Sequence, residues 1–546
     1  MRDLLTDPLW QPADLGKPIP DSRHAVSVCL PTWADNVGYE EGDPRVVGRM
    51  QCGYPRFFYH PLLRKYGEAC RAKFGSSGED CLVFDSEASA VHFQRFLREQ
   101  TGGAGDARIH RGSPLGEVPV TFPAEFAATA KLGWQHLGGG ITSRHAECCL
   151  EERSPADATQ AKTTLRNRVA GLAGVPAEDV YLFPCGMNAL FAVHRALQAL
   201  RPQEVRSDRL QPVQGLTSQR SNDTLDRLKP VTTNARPVQF GFPYVDTLKI
   251  LQKVGPGVHF LPRGDDADLG RLEEILASQQ IAALYTEFPS NPLLVCPDLE
   301  RLDELSRRHG FPLIVDDTVA GFHNVDLLPA ADVVVSSLTK SFSGAGDVTG
   351  GSVILNPDRP FYSDLKSAFE REHRDTLFAE DAIVLERNSR DYSERMPRIN
   401  DATQRLVEFL SGRREVASVF YPRLDAVPEV RSDRLQPVKG PAEAGHYERY
   451  DRFRKPGGGY SGLFSLVLKD AERNAPRFFD RLRISKGPNL GTNFSLACPF
   501  TILAHYTELD FAESCGVSRW LIRVSVGLEP ADELIARFAE AIRDEG

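Results

Sequence analysis

Residues 333–351 read VVVSSLTKSFSGAGDVTGG, an apolar run that ends in Ser-Ser-Leu-Thr-Lys and then loosens into a glycine-rich stretch. Three consecutive valines predict a strand covered on both faces, the habit of a parallel sheet under helices. A lysine at the carboxyl end of such a strand faces the crevice where open α/β sheets hold their ligands. Removal from water there favours the neutral amine, the form that condenses with an aldehyde. Ser337 and Thr339 flank Lys340 with hydroxyls suited to a phosphate. Taken alone, a lysine in this place reads as an exposed or salt-bridged structural residue, so its company decides the matter.

The same pattern extends outward. The runs VYLF at Val180, PVQFGF at Pro237, GVHFLP at Gly257, AALYTEF at Ala282, PLIVDD at Pro312, DVVVSS at Asp332 and GSVIL at Gly351 alternate with amphipathic stretches. Seven such runs predict an α/β domain over residues 156–396, built on one mostly parallel sheet with helices on both faces. DLGRLEEILAS from Asp268 and DLERLDELSRRHG from Asp298 each open on an Asp able to cap the first turn, and the second stops at Gly310. After Pro397, a helical DATQRLVEFLSG, a strand-like GGYSGLFSLVL and a helical ADELIARFAEAIRDE predict a smaller α+β domain over residues 397–546. Residues 1–155 form an N-terminal segment and extension.

A chain of 546 residues is too long for one core and long enough to bury a deep site. Its 41% hydrophobic and 25% charged fractions and net charge of −9 are those of an ordinary globular protein and ask for neither nucleic acid nor a membrane. No stretch approaches 18 apolar residues, and the opening MRDLLTDPLWQPADLGKPIPDS breaks its short apolar pieces with prolines. Ten cysteines lie scattered without a CxxC pair, and adjacent Cys148 and Cys149 cannot easily bridge. Reduced thiols in the cytoplasm are expected.

Two further segments carry chemistry. LIVDDTVAGF ends an apolar strand in Asp316 and Asp317, and a carboxylate there can pair with a protonated pyridine nitrogen. Adjacent Asp residues also hold metals or cap helices, but no cluster of His or Glu accompanies these two. Asp316 is the expected pyridinium partner. VYLFP leads through Cys185-Gly186-Met187-Asn188 into the apolar-periodic ALFAVHRALQAL, a strand, tight turn and helix N-terminus that offers amides and a positive dipole end to a phosphate.

CGM before the helix, Tyr244 with Thr247 in FGFPYVDTLK, EFPSNPL from Glu287, VDDT at Val315 and SSLTK ending at Lys340 resemble, in order and spacing, the Cys/Met-metabolism enzymes that use pyridoxal phosphate (PLP). The resemblance runs from about residue 45 to the C-terminus and points to the longer branch of cystathionine γ-synthases. It implies the aspartate aminotransferase type I fold, with Lys340 as the Schiff-base lysine, Asp316 at the ring nitrogen and Tyr244 stacked on the ring near the substrate amine. It further implies Asn291 at the phenolic oxygen and Gly186, Met187, Ser337 and Thr339 as phosphate cradle. Glu287 closes the strand before the PSNP turn on the substrate side. WLIRVSVGLEP resembles the family's L-x-R-x-S-V-G-x-E segment, which implies Arg523 as a bidentate clamp on the substrate carboxylate and Ser495, in TNFSLACP, in the same pocket. The activity implied is γ-replacement, in which cysteine displaces the acyl group of an O-acylhomoserine to give L-cystathionine. A lyase acting by β- or γ-elimination shares these motifs, and a catalytically silent relative stays open because fold alone does not fix function. A homodimer or homotetramer is expected.

Shorter members carry a Tyr-x-Arg element with which one subunit reaches its neighbour's cofactor phosphate. GGGITSRHAE puts Arg144 nearest the expected place but has Thr142 where Tyr would stand, whereas GYPRFFYHP supplies Tyr54 and Arg56 farther upstream. Arg144 is favoured, with Tyr54 and Arg56 as the alternative. Cys185 replaces the usual Ser before Gly-Met, a change that backbone-held phosphate tolerates, and no His partner marks it as a nucleophile. YPRFF with DCLVFDSEASAVHF echoes the later strand-turn-helix but lacks Gly-Met and is assigned no cofactor contact. EVRSDRLQPV occurs at Glu204–Val213 and again at Glu429–Val438, and both copies read as polar surface-loop insertions without a catalytic role.

Overall fold

The structure, a computed structural model, describes residues 2–55, 57–113, 115–200, 235–424 and 446–543. Both EVRSDRLQPV copies and Arg56 lie outside the described residues.

Three sheets organise the described residues. The first joins β1 (Glu79–Phe84), β2 (Arg108–Ile109) and β3 (Val118–Pro123) in the order β1-β3-β2, all antiparallel. Here the echoed motif does fold as strand, turn and helix, β1 leading into the helix Glu87–Gln100. The central sheet holds β4 (Val180–Phe183), β5 (Val238–Phe240), β6 (His259–Leu261), β7 (Leu284–Glu287), β8 (Leu313–Asp316), β9 (Val333–Ser336) and β10 (Gly351–Leu355). Each coincides with one of the seven runs read from the sequence. Their order is β4-β10-β9-β8-β7-β5-β6; pairs among β5 to β9 are parallel, and β10 alone runs antiparallel to both neighbours. Strands sandwiched between helix layers must be apolar on both faces, and β9 and β10 are buried throughout.

The third sheet, in the order β11-β12-β15-β14-β13, comprises β11 (Val416–Phe420), β12 (Leu463–Leu468), β13 (Ser485–Lys486), β14 (Leu496–Pro499) and β15 (Ile522–Ser525). The final helix spans Ala531–Ile542. The boundary expected at residue 396/397 falls inside one continuous helix, Tyr392–Ser411, which carries Pro397 within its first two turns.

Capping follows the sequence at one helix and departs from it at another. Asp298 caps Leu299–His309 by accepting from Arg301 N at 3.0 Å, and Gly310 ends it at φ 72°. The preceding helix starts earlier than expected, at Asp266, with Asp265 as cap. Asp268 instead turns its carboxylate to the backbone N–H groups of Arg263 and Gly264, at 2.6 and 3.0 Å.

Residues before the first sheet pack along the body of the protein. Leu30 N donates to Lys486 O at 3.1 Å, Lys486 N to Leu9 O at 3.1 Å, and Val26 N to Gly346 O at 2.9 Å. Leu9 N donates to the Ser485 hydroxyl at 3.1 Å. The N-terminal segment thus runs beside the edge strand β13 and the glycine-rich stretch after Lys340.

Candidate active site

The parallel strands β7, β8 and β9 end at Glu287, Asp316 and Ser336, and a cleft opens at their carboxyl ends. Its lining includes Gly186, Met187, Tyr244, Glu287, Asn291, Asp316, Ser337, Thr339, Lys340 and Arg523. Sequence reading therefore converges on one place. Tyr54 also lines it.

Lys340 is 8% exposed, and its Nζ donates to Tyr54 OH at 2.9 Å and to Asn489 Oδ1 at 2.6 Å. The ammonium also stands 4.4 Å from the centre of the Tyr54 ring. Asn489 was not anticipated from the sequence. A signal existed two residues on: Gly491 sits at φ 70°, and a Cβ there would fall 2.4 Å from Ser341 N and 3.0 Å from Lys340 Cβ. Only glycine lets PNLGTNF approach the lysine so closely.

Strand alternation separates the two aspartates. Asp316 lines the cleft, while Asp317 points to the other face of the sheet and is 2% exposed. Asp316 Oδ1 accepts from Thr318 N at 2.8 Å, and burial pushes its carboxyl upward. Glu287 pairs with Asp316 in the β7/β8 register, and burial followed by the Asp316 charge raises it to about 8.

Glu287 was expected at the substrate. Its two oxygens instead accept the backbone N–H groups of Tyr244 at 2.5 Å and Asn291 at 3.0 Å, so it sets the two loops that carry those side chains. Asp246, two residues beyond Tyr244, accepts from Gln135 and His136 at 2.9 Å each, tying the same loop to the N-terminal layer.

Arg523, on β15, is 5% exposed and fixed on three sides. It donates to Asn291 Oδ1 at 3.3 Å and to Pro488 O at 2.7 Å, with its guanidinium 5.0 Å from the Phe500 ring centre. The Asn291 oxygen thus faces the arginine.

Two expected residues lie outside this cleft. Ser495 does not line the cleft: its hydroxyl donates to Glu529 at 2.8 Å and accepts from Gly527 N at 3.0 Å, which seals it inside the C-terminal sheet. Arg144 is absent from the lining as well. It begins the helix Ser143–Leu150 and pairs with buried Asp381 at 3.0 Å and Asp347 at 3.7 Å in an adjoining cavity. Asp381 and Asp347 hold it within this chain, while Tyr54, from the alternative element, stands at the lysine of the same chain.

These residues fit PLP. Cys185 precedes the helix Gly186–Ala199 without capping its first-turn amides, because its Sγ turns to Gly138 O at 3.5 Å. A Cβ on Gly186 would lie 2.8 Å from Ser337 Cβ, so glycine brings this turn against the other half of the phosphate cradle. Helix amides, two hydroxyl residues, a buried carboxylate and a strand-end lysine make a complete donor set for a phosphorylated pyridine aldehyde.

Fold and cleft together define a PLP-dependent α/β enzyme. The chain belongs to the Cys/Met metabolism PLP-dependent enzymes, whose family profile matches residues 244–543, and its cofactor is pyridoxal 5′-phosphate. The profile of the fungal trans-sulfuration enzyme N-terminal domain matches residues 62–142. The chain is 35% identical to a cystathionine gamma-synthase of Neurospora crassa, over 97% of this chain and 98% of that one. It is 32% identical to an alanine racemase of Aspergillus violaceofuscus, over 98% and 97%. The solved cystathionine gamma synthase of Xanthomonas oryzae pv. oryzae, in complex with aminoacrylate and cysteine, shares the fold at TM-score 0.53 and 21% identity, covering 70% of this chain and 85% of that one. All ten cysteines are free thiols, and no helix among the described residues is long and apolar enough to cross a membrane.

Proposed function

We propose that this chain is a cystathionine γ-synthase: an O-acylhomoserine and L-cysteine give L-cystathionine and the free carboxylic acid. The observation that carries the reading is one cleft holding both Lys340 and Arg523 and continuing into an apolar mouth lined by Leu30, Leu503 and Ala504, with Tyr39 and Glu40 beside them. A γ-replacement needs room for two amino acids at once, and the mouth supplies it. The similarity to the Neurospora enzyme over nearly the whole of both chains supports the same reading.

PLP, when bound, supplies an electron sink that makes the carbons next to the substrate nitrogen acidic. Gly186, Met187, Ser337 and Thr339 would hold its phosphate, Asp316 its ring nitrogen, Tyr244 its ring face and Asn291 its phenolic oxygen. Arg523 takes the substrate α-carboxylate, its fork pre-aimed by Asn291 and Pro488. Tyr54 and Asn489 hold the Lys340 amine where it can move protons from Cα and Cβ. Over the reaction the Cγ–O bond breaks, the thiol sulfur bonds to Cγ, and the thiol proton balances the released acid. The enzyme acts as a cytoplasmic homodimer or homotetramer, a reading to which its ten free thiols are suited.

The test supplies purified holoenzyme with O-acetyl- or O-succinylhomoserine, with and without cysteine, and follows products by mass spectrometry. Cystathionine should form only with cysteine, and Lys340→Ala should abolish it. Keto-acid release from cystathionine as the main reaction would replace synthase by lyase. Absence of turnover in a chain that binds PLP would make it a silent relative.

A further inference from the structure

We propose that Glu117, His145 and Cys149 form a binding site for a borderline-soft divalent cation of the Zn²⁺ type in the N-terminal layer, apart from the catalytic cleft. One ligand atom from each of the three lies within 4.8 Å of the other two. His145 and Cys149 stand four residues apart on the helix Ser143–Leu150 and so share a face, while Glu117 arrives from the residue before β3. None of the three lines the cleft that holds Lys340.

A second observation points to a ligand. Glu117 is 1% and His145 5% exposed, and His145 Nε2 is buried without a hydrogen-bond partner. The imidazole lies flat on Phe378, with centroids 4.3 Å apart and planes at 9°, and its Nε2 stands 4.0 Å from Glu117 Oε2. A buried ring nitrogen held in place beside a carboxylate, yet bonded to nothing, is costly unless something joins them. The Tyr66 hydroxyl, 2.6 Å from Glu117 Oε1, orients that carboxylate from the other side, as outer partners of metal ligands do.

The donor set selects the ion. One carboxylate oxygen, one imidazole nitrogen and one sulfur suit Zn²⁺ and exclude Mg²⁺ and Ca²⁺, which take oxygen shells. A tetrahedral shell with such bonds has edges of about 3.5 Å, so the three ligand atoms would draw together by about an ångström to close on an ion. Binding expels the Cys149 thiol proton. Thiolate and carboxylate then cancel the ion's double charge, leaving a neutral buried centre. In the metal-free protein, burial and then Glu117 push that thiol up to about 12, which keeps it protonated. The bound ion would fasten the helix that carries Arg144 to the first sheet.

The test uses the PLP-loaded full chain, equilibrated with Zn²⁺ or Co²⁺, desalted and analysed for metal, beside Cys149→Ser and His145→Ala. We expect one retained equivalent per chain, a thiolate-to-cobalt charge-transfer band that Cys149→Ser removes, at least tenfold weaker retention in His145→Ala, and unchanged cofactor absorbance in both. No retained metal in the wild type overturns the proposal, as does retention equal in all three proteins. Should Cys149→Ser fail to fold, the wild-type cobalt spectrum decides alone: a band from sulfur ligation supports the site, and a spectrum of oxygen and nitrogen ligation refutes it.

Discussion

Replacing Asn489 by Ala removes one group that holds the Lys340 amine while leaving the rest of the cleft standing. The lost contact is a 2.6 Å hydrogen bond from a buried ammonium, and the Tyr54 hydroxyl at 2.9 Å remains. A hydrogen bond to a charged group contributes about 1.5–3 kcal/mol, and about 1.4 kcal/mol is tenfold in rate, so kcat should fall about 10- to 150-fold. The KM for the acylated amino acid should stay within about twofold, because Arg523 contacts the backbone carbonyls of Pro488 and Asn489, which alanine retains. Thermal stability should not drop much, since Asn489 Nδ2 is buried without a partner and its removal relieves an unsatisfied donor. Steady-state kinetics of cystathionine formation, with cofactor content measured in the same samples, read all three quantities. The reasoning is refuted if kcat stays within twofold of wild type, or if its fall merely tracks loss of bound cofactor. Combining the change with Tyr54→Phe should give less than the sum of the two separate losses, because both groups hold the same nitrogen.

Arg523→Lys replaces a fork held on three sides by a point charge, and KM for the acylated substrate should rise about 30-fold, equivalent to about 2 kcal/mol; an unchanged KM would remove Arg523 from carboxylate binding. Arg144→Ala strands buried Asp381 and should lower unfolding stability by about 3 kcal/mol in denaturant titration while leaving PLP affinity unaltered, whereas weaker PLP binding at unchanged stability would return Arg144 to the phosphate. His373, which burial pushes down to about 4, stays neutral in the folded chain while the unfolded chain takes a proton below about 6.5. The unfolded state therefore binds more protons as pH falls, so wild type loses stability that a non-titrating His373→Phe keeps. The variant should gain on wild type by on the order of 1 kcal/mol between pH 7 and pH 5, and a constant difference across that range would contradict the assignment.

Much of this molecule is legible in its sequence because strands buried on both faces must be written as uninterrupted apolar runs. Each of the seven strands of the central sheet coincides with one, and the polar residues that end β7, β8 and β9 mark the cleft. Alternation along β8 even separates Asp316 from Asp317. Asn489 was invisible for the opposite reason: it meets Lys340 across 149 positions, and Tyr54 does so across 286, separations over which no local pattern operates. Ser495 and Arg144 lie outside this chain's cleft because a motif says which segment is near the site but not which way a side chain turns. Buried carboxylates, Glu529 and Asp381, claimed both.

The path of the N-terminal segment bears on how the enzyme is made. Leu9 donates to Ser485, 476 positions later, and Leu30 to Lys486, so these residues leave the ribosome long before the residues that seat them. At about 5–20 residues per second, synthesis of the intervening chain takes roughly 24–95 s. Leu4, Leu9 and Ile19, buried in the finished fold with Phe494 and Leu496, stay without that cover for the interval. Tyr54 reaches Lys340 from the same N-terminal layer, and a nascent chain stalled before residue 485 would carry every strand of the central sheet yet lack the seat of its N-terminal segment.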